Sequence, residues 1–308
     1  MTAAISIQTD TLNARDWARL VPAPALQQGW AYGAACAALG SRVLRFEIRR
    51  GRETLGLAQV VHRRLLGCLD AVVCTRGPVW VGTPAPDERA SALVALRRAM
   101  PRGRLRGFFV TPEAVEDESS VLRQSGLARV MTPYTTATLD LTRPEAELRA
   151  AQHQKWRNRL AVAERAGITI KRADRRPDLF QWLLDIEARQ QKTRKYNALP
   201  PMLVTAWHQA GGDMRVLVAE HEGERIAAML YLCHGQRATY HLGWSGPEGK
   251  RLSAHNLLLW HAVRKLKALG IRELDLGGLN TEDVPGIARF KLGTGAQVKT
   301  LCGTWFGR

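Results

Sequence analysis

Two charged side chains near the end of the chain, Asp275 and Lys291, have surroundings that suit them to chemistry. Asp275 ends a predicted strand just before Gly277, where its carboxylate could take a proton from an attacking amine or accept backbone N–H groups in a turn. Lys291 follows Phe290 and precedes a glycine-rich turn at 293–295, which could hold its ammonium group at the wall of a cleft. The other interpretation of Lys291 is a surface lysine beside a core phenylalanine.

Two further pairs of side chains could bind a substrate. Arg194 and Tyr196 follow a predicted helix, and a guanidinium fork with a phenol hydroxyl suits a phosphate group. A solvated basic loop would have the same composition. Tyr240 and Trp244 alternate along a predicted strand at 238–244, where they could line a cleft or pack against the helix that follows.

The composition favours a globular protein that meets polyanions. The 308 residues include 45 basic and 28 acidic side chains, a formal charge of +17, and the densest basic stretch is 149–195. Such a surplus attracts RNA, a nucleotide-linked substrate or an anionic membrane surface, although a solvated basic face would look the same. No apolar run reaches the roughly 20 residues that span a bilayer, and no secretory signal is visible, so we expect a cytoplasmic protein. Five scattered cysteines lack zinc-like spacing, so we expect no metal.

The order of predicted elements indicates a mixed α/β protein with an internal duplication. A strand hairpin, a third strand, a helix and a fourth strand follow one another at 42–110 and again at 215–276. Both stretches begin with Arg-Val-Leu, at Arg42 and Arg215. We therefore expect two domains, 1–140 and 141–308, with the joint near 134–143.

A basic amphipathic helix is predicted at 145–166, at the start of the second domain. Leu148, Trp156, Leu160 and Ala163 fall on one face and predict burial. The cationic residues expected to meet tRNA or other phosphates are Lys155, Arg157, Arg159 and Arg165.

Several motifs occur in an order that resembles one family. They are 155–167 in the basic helix, Arg-Gly-Pro-Val at 76–79, the strand at 134–141, Leu-Asp-Leu-Gly-Gly at 274–278, and Gly-Ile-Ala-Arg-Phe-Lys-Leu-Gly at 286–293. This set is similar to the Fem-type (FemABX-like) peptidoglycan-bridge aminoacyltransferases of the GNAT acyltransferase group. The resemblance covers nearly the whole chain.

The resemblance implies two tandem GNAT-like domains that face each other across a cleft, without the coiled-coil arm of larger members. It implies transfer of an aminoacyl group from charged tRNA to an amine of a nucleotide- or lipid-linked peptidoglycan precursor, with no cofactor. By resemblance Lys291, paired with Phe290, stabilises the tetrahedral oxyanion, and Arg194 with Tyr196 holds the diphosphate of the precursor.

One position departs from the family pattern. Members commonly carry a phosphate-binding lysine a few residues past a tryptophan in the N-terminal helix, but 28–36 holds alanines and Cys36 there. Arg76 is a candidate substitute. The identity of the acceptor therefore stays open.

Two other classes of function remain. A CoA-dependent N-acyltransferase would need a glycine-rich pyrophosphate loop between strand and helix, and neither 243–255 nor 76–84 has its spacing. Prolines 78, 84 and 86 also remove backbone donors. An RNA-binding module without catalysis would fit the charge, but the chain lacks the usual RNA-binding signatures. Peripheral contact of the basic helix with the inner membrane is a further option.

Overall fold

The structure, a computed structural model, describes residues 4–65, 69–100, 106–115, 118–194, 199–280 and 285–307. The chain divides into two units, one formed by 1–135 with 300–308 and the other by 136–299. Each unit has its own β-sheet with helices packed on it.

The elements follow one another along the chain with these bounds. The first part contains β1 (Ile5–Thr9), α1 (Ala14–Leu20), α2 (Trp30–Ala38), β2 (Val43–Arg50), β3 (Glu53–Leu65), β4 (Leu69–Thr75), β5 (Val79–Trp80), α3 (Pro86–Ala99), β6 (Arg106–Thr111), α4 (Ser119–Gln124) and β7 (Ala128–Met131). The second contains β8 (Thr135–Asp140), α5 (Glu145–Ala150), α6 (Gln154–Arg165), β9 (Thr169–Arg172), α7 (Gln181–Arg194), α8 (Met202–Gln209), β10 (Asp213–His221), β11 (Glu224–His234), β12 (Arg237–Ser245), α9 (Pro247–Arg251), α10 (Ala254–Ala268), β13 (Glu273–Gly278), α11 (Pro285–Leu292) and β14 (Gln297–Thr300). The last strand is β15 (Thr304–Gly307).

Both units are built on the same strand arrangement. In the first, β2, β3 and β4 are antiparallel neighbours, and α3 crosses over to β6, which lies parallel to β4. In the second, β10, β11 and β12 are antiparallel neighbours, and α10 crosses over to β13, parallel to β12. The predicted repeat of hairpin, strand, helix and strand is confirmed in both units, as is the mixed α/β fold.

The second sheet has the order β14-β8-β13-β12-β11-β10-β9. One core lies between this sheet and helices α6 and α10, because the apolar faces of both helices turn inward. Helices α7 and α8 pack against β12 and β10 with a separate set of buried side chains that includes Leu183 and Trp207. At 15 residues α10 is the longest helix in the described part of the chain, too short for a coiled-coil arm.

The boundaries of the units differ from the predicted 1–140 and 141–308. Strand β8 pairs with β13 and therefore belongs to the second sheet. Strand β15 pairs with β6 and β7, so the C-terminal residues complete the first sheet, and Trp305 is buried in its core. These pairings join residues far apart in sequence, which periodicity along the chain cannot reveal.

The predicted helix at 145–166 is two helices, α5 and α6, with a break at 151–153. The backbone N–H of His153 bonds to the carbonyl oxygen of Gly293 at 2.9 Å, and its Nδ1 accepts from the Lys155 amide at 3.3 Å. A β-carbon on Gly295 would lie 2.6 Å from the Ala151 carbonyl oxygen, so the turn after α11 fits closely into the break. Leu148, Trp156, Leu160 and Ala163 are buried as predicted.

The third strand of the first repeat, for which the sequence pattern predicts the range 71–81, is also divided. It becomes β4 and β5, separated by Arg76, Gly77 and Pro78, and β5 pairs with β3. Arg76 has a positive φ of 57°, and the Gly77–Pro78 bond is cis.

Candidate functional site

The parallel strands of the second unit separate at their carboxyl ends. Strands β12 and β13 pair at only three positions, the last joining Thr239 to Asp275, although β12 continues to Ser245 and β13 to Gly278. In the first unit the corresponding strands, β4 and β6, stay paired at six positions up to Thr75 and Thr111. The second sheet therefore has an opening at the carboxyl ends of its parallel strands, the usual place for a ligand in such sheets.

Lys291 lies at this opening. Its side chain, on the last turn of α11, is 8% exposed, and Nζ donates to the carbonyl oxygen of Gly278 at 2.8 Å. Burial lowers the pKa of the Lys291 ammonium, and the nearby charge of Asp275 opposes that effect. No second hydrogen bond to Nζ occurs in the described residues, so two N–H groups of a rigidly held cation remain for an oxyanion.

The contacts of Asp275 agree with the second sequence interpretation, in which its carboxylate accepts backbone N–H groups in a turn. Its Oδ1 accepts from the backbone N–H of Gly277 at 2.7 Å and from the Thr136 hydroxyl at 2.8 Å. Gly277 has a φ of +77°, so the turn needs glycine. The carboxylate therefore shapes the end of β13, and it also raises the pKa of Lys291.

The substitution Asp275→Asn separates these two effects. The amide oxygen can still accept the hydrogen bonds of the turn, but the charge that raises the pKa of Lys291 is gone. Activity that needs protonated Lys291 is lost as pH rises through its pKa. We therefore expect the alkaline limb of the pH–rate profile to move to lower pH in the variant. An alkaline limb that stays in place or moves to higher pH would contradict the effect of Asp275 on the pKa of Lys291.

An aromatic cluster holds α11 against α6. The Trp156 and Phe290 rings are 5.9 Å apart, and the Trp156 indole N–H donates to the Phe290 carbonyl at 3.1 Å. The His255 ring lies 6.1 Å from Phe290, and His255 Nε2 donates to the Trp244 carbonyl at 2.9 Å. Burial lowers the pKa of His255, so this ring is a neutral structural donor. Phe290 thus links the helix of Lys291 to α6 and α10.

Tyr240 and Trp244 have different surroundings. Tyr240 packs with the core, 5.7 Å from the Tyr231 ring, and its hydroxyl lies close to Gly243, where a β-carbon would meet it at 2.1 Å. Trp244 packs edge-to-face on Trp182 of α7, 5.4 Å away, rather than on the crossover helix. Of the two, only Trp244 lines the cavity described next.

A cavity of about 650 Å³ borders the end of β12. It lies among α6, α7, α9, α10 and α11, and Ile287, one turn before Lys291, forms part of its wall. Among the described residues, its lining includes the cationic side chains of Arg159, Lys250 and Arg251 and no carboxylate. The cavity thus suits an anionic ligand that extends toward the opening between β12 and β13.

Asn256, a further residue of this cavity, was not predicted from the sequence. It lies in the first turn of α10, is 5% exposed and lines the cavity. Its position, three, four and seven residues before Leu259, Trp260 and Val263, places a polar side chain in the apolar face of the helix. That interruption of the pattern is a signal that could have identified it.

The predicted phosphate-binding residues of the basic helix differ in their surroundings. Lys155, Arg159 and Arg165 are exposed, and none forms an ion pair with another described residue. Arg157 instead donates from Nη1 to the carbonyl oxygens of Ala150 and Gln152. It therefore caps the C-terminal end of α5, and the prediction that it faces phosphate is not supported by its geometry.

We expect Arg157→Ala to lower stability while leaving nucleic-acid binding unchanged. Removal of the two donated hydrogen bonds at the end of α5 costs about 1–2 kcal/mol, measured by chemical denaturation. The salt dependence of RNA binding should equal that of the unaltered protein. A smaller slope of log K against log salt in the variant would show that Arg157 does contact phosphate.

Three predicted binding residues remain, namely Arg76, Arg194 and Tyr196. Arg76 belongs to the first unit, is buried, and forms an ion pair with Glu113 at 3.0 Å. That ion pair occupies part of its guanidinium fork, which disfavours a phosphate role. Arg194 ends α7, and Tyr196 lies outside the described residues, so their diphosphate role stays a prediction.

Neither a metal-binding cluster nor a membrane-spanning helix occurs among the described residues. No group of His, Cys, Asp and Glu side chains there is arranged to hold a metal ion. No helix in the described ranges is both long and apolar enough to cross a bilayer.

Comparison with known proteins supports this description. Residues 150–292 match the family described as "Acetyltransferase (GNAT) domain", which covers the cavity, the opening and Lys291. No curated protein matches the sequence. The crystal structure of FemX superposes with a TM-score of 0.81 at 14% identity, covering 97% of this chain and 96% of that one.

Two other solved structures share the arrangement less closely. A tandem GNAT protein from the clavulanic acid biosynthesis pathway has a TM-score of 0.55 at 13% identity, with 98% of each chain covered. The C-terminal domain of a putative lysylphosphatidylglycerol synthetase from Agrobacterium fabrum has a TM-score of 0.55 at 15% identity, covering 95% and 90%. The chain therefore has the Fem-type tandem GNAT fold, and residues 150–292 of its second unit match the GNAT acetyltransferase domain family.

Proposed function

We propose that the protein transfers an aminoacyl group from a charged tRNA to an amine of a peptidoglycan precursor. The observation that carries this proposal is the position of Lys291 at the opening of the second sheet, beside a cavity whose described lining residues include three cations and no carboxylate. The donor's nucleic-acid end would occupy the cavity, and its ester carbonyl would reach the opening.

The proposed reaction requires only two contributions from the protein, which are charge stabilisation and positioning of the substrates. The acceptor amine attacks the ester carbonyl, a tetrahedral oxyanion forms, and the ester oxygen of the tRNA leaves with a proton. Lys291 supplies a fixed positive charge where that oxyanion develops, an effect worth several kcal/mol in a water-poor site. Positioning of the two substrates supplies much of the remaining rate enhancement. Lys155, Arg159 and Arg165 would meet tRNA phosphates outside the cavity.

The loop between β12 and α10 favours a donor other than CoA. In this loop the short helix α9 uses backbone N–H groups internally: Lys250 donates to Gly246, Leu252 to Glu248, and Ser253 to Lys250. A pyrophosphate cradle needs such N–H groups free and aimed at the ligand. The relatives FemX and the putative lysylphosphatidylglycerol synthetase are consistent with aminoacyl transfer, and the second leaves a lipid-linked acceptor at the membrane open.

A transfer assay tests the proposal. The protein is incubated with a mixture of aminoacyl-tRNAs or with acetyl-CoA, and with nucleotide-linked or lipid-linked precursor as acceptor. Mass spectrometry of the acceptor should show an aminoacyl increment that depends on charged tRNA and disappears after ribonuclease treatment. Lys291→Met protein is the inactive control. Acetylation of the acceptor by acetyl-CoA without tRNA would instead establish the CoA-dependent alternative.

A further inference from the structure

We propose that a second copy of this chain docks on the β1 edge of the first sheet. The β1 strands of the two copies pair antiparallel, and the two α3 helices pack beside each other. The product is a two-fold symmetric dimer in which one sheet continues through both copies. This inference concerns a surface of the first unit and does not depend on the proposed function.

Strand β1 is an edge strand without the usual protection. It pairs with β2 without a register shift, and its other side has no neighbour in the described sheet. Edge strands are commonly protected from pairing by a charged side chain, a proline or a bulge. The sequence of β1, Ile-Ser-Ile-Gln-Thr, contains none of these. The three other edge strands of the two described sheets, β7, β9 and β14, each carry a lysine or an arginine.

The outward-facing backbone groups of β1 belong to particular residues. The backbone N–H of Asp10, just after β1, donates to the carbonyl oxygen of Arg45 in β2 at 2.8 Å. Backbone groups of alternate residues face the same side of a strand, so those of the odd-numbered residues face away from β2. Ile5, Ile7 and Thr9 therefore present their N–H and C=O groups at the edge, where another strand can pair with them.

A groove of about 520 Å³ lies between this edge and helix α3. Ile5 of β1 lines it, together with Asp87, Ser91, Val94 and Arg98 from one stripe of α3. The stripe has successive spacings of four, three and four residues, which is typical of the contact line between two packed helices. Val94 is half-buried and the other three members are exposed. Helix α3 thus has a face that is suited to a second helix.

Charge complementarity identifies a second copy as the occupant. The stripe is negative at Asp87, in the first turn of α3, and positive at Arg98, in the last turn. In an antiparallel pair of α3 helices, Asp87 of each copy lies beside Arg98 of the other copy. The charged lining residues of the groove, Arg50, Arg98, Asp87 and Glu88, sum to zero, although the chain carries +17. The surface itself therefore adds no like-charge repulsion between two copies.

A single two-fold axis accounts for both contacts. An axis perpendicular to the sheet makes the two β1 strands antiparallel and keeps both α3 helices on the same face of the joined sheet. Helix α3 packs over β1 and β2. Its axis therefore lies about one strand spacing, about 4.8 Å, from the two-fold axis. The two α3 helices are then about 10 Å apart, which is a normal distance for packed helices.

Sedimentation velocity over a range of protein concentrations tests the dimer, with the full chain and no N-terminal tag. We expect a concentration-dependent shift from monomer to dimer. Arg98→Asp places like charges at both ends of the helix pair and should weaken self-association by about tenfold, because a two-fold interface contains each substitution twice. Exchange of the two charges, Asp87→Arg with Arg98→Asp, should restore the dimer. Arg19→Asp makes the same charge change in the last turn of α1 and should leave the dimer unchanged.

A proline variant tests the strand pairing separately. Thr9→Pro removes an outward-facing N–H of β1 and none of the hydrogen bonds between β1 and β2. We expect it to weaken the dimer by about tenfold, since the lost hydrogen bond occurs twice. Thr9→Val keeps the N–H group and should dimerise normally. Hydrogen exchange of the amides at 4–10 should slow as the concentration of the unaltered protein rises, but not in Thr9→Pro. The Tm at low concentration shows whether each variant is folded.

The outcomes decide the proposal. Weakening by both Arg98→Asp and Thr9→Pro, with recovery in the charge-exchange variant, supports it. A protein that stays monomeric at every concentration overturns it. A dimer that neither variant weakens forms through another surface and also overturns it. Weakening by Arg98→Asp without recovery in the charge-exchange variant would show that the α3 helices do not pack antiparallel, and this arrangement of the dimer would be wrong.

Discussion

Replacement of Lys291 by methionine should lower kcat by about 10²–10³, the effect expected when one preorganised oxyanion donor is removed. Methionine keeps most of the buried aliphatic length and removes only the charge and its N–H groups. The KM for the acceptor should change little, because the interaction strengthens only as the oxyanion forms. Steady-state transfer rates over a range of acceptor concentrations measure both quantities.

The substitution Lys291→Met should not lower the stability of the protein, although it lowers the activity. Burial lowers the pKa of Lys291, so the folded state disfavours its charged form, and at neutral pH this penalises folding. The penalty falls as pH rises through the folded-state pKa and is gone above the pKa that Lys291 has in the unfolded chain. Lys291→Met removes it, so we expect the Tm at pH 7 not to fall, and the Tm difference from the unaltered protein to narrow at alkaline pH.

Lys299→Met is the matched control. Lys299 belongs to the same unit, where its Nζ pairs with Glu273 at 2.8 Å, and it is not part of the opening. We expect it to retain full activity. A Lys291→Met protein with unchanged kcat would remove the oxyanion role, and one with a strongly reduced Tm would indicate that the lysine is structural.

Trp156→Ala should have the largest effect on stability, about 3–5 kcal/mol, because it removes a buried indole from the core. The ring also positions the helix of Lys291 through its contact with Phe290 and its hydrogen bond to the Phe290 carbonyl. Gly293 fits against the indole so closely that a β-carbon there would lie 2.7 Å from Trp156 Cδ1. We therefore expect transfer activity to fall even under conditions where the variant is folded.

Trp156→Phe distinguishes packing from the hydrogen bond. It keeps an aromatic ring against Phe290 but loses the indole N–H donor. We expect it to cost about 1–2 kcal/mol, the value for a lost hydrogen bond and a smaller ring. Chemical denaturation and kcat are measured on all three proteins. Full activity in Trp156→Ala would mean that α11 holds Lys291 in place without α6.

The local pattern of the sequence was enough to predict the repeated core of each unit. Apolar runs separated by turns predicted β10, β11 and β12, and the 3.6-residue period predicted α10, because each of these patterns depends on neighbours in the chain. The same logic correctly placed Trp156 and Leu160 on the buried face of α6. The role of Lys291 could be predicted only from the resemblance to the Fem-type family, because a lysine after a phenylalanine has no periodic signature of its own.

Other features depended on contacts between distant residues. The break between α5 and α6 is made by the chain near Gly293, and the ion pair of Arg76 with Glu113 joins residues far apart in sequence. Because of the same break, Arg157 donates to a carbonyl oxygen at the end of α5. None of these could be read from composition or spacing.

By itself, the amino-acid sequence determined the duplicated order of strands and helices and the surplus of positive charge, since both are sums of local preferences. Only the tertiary structure decided that the parallel strands separate in the second unit, that Lys291 is held at that opening, and that Asn256 is buried without a partner. These properties arise from side chains brought together by folding, whose surroundings set their hydration and hydrogen bonding.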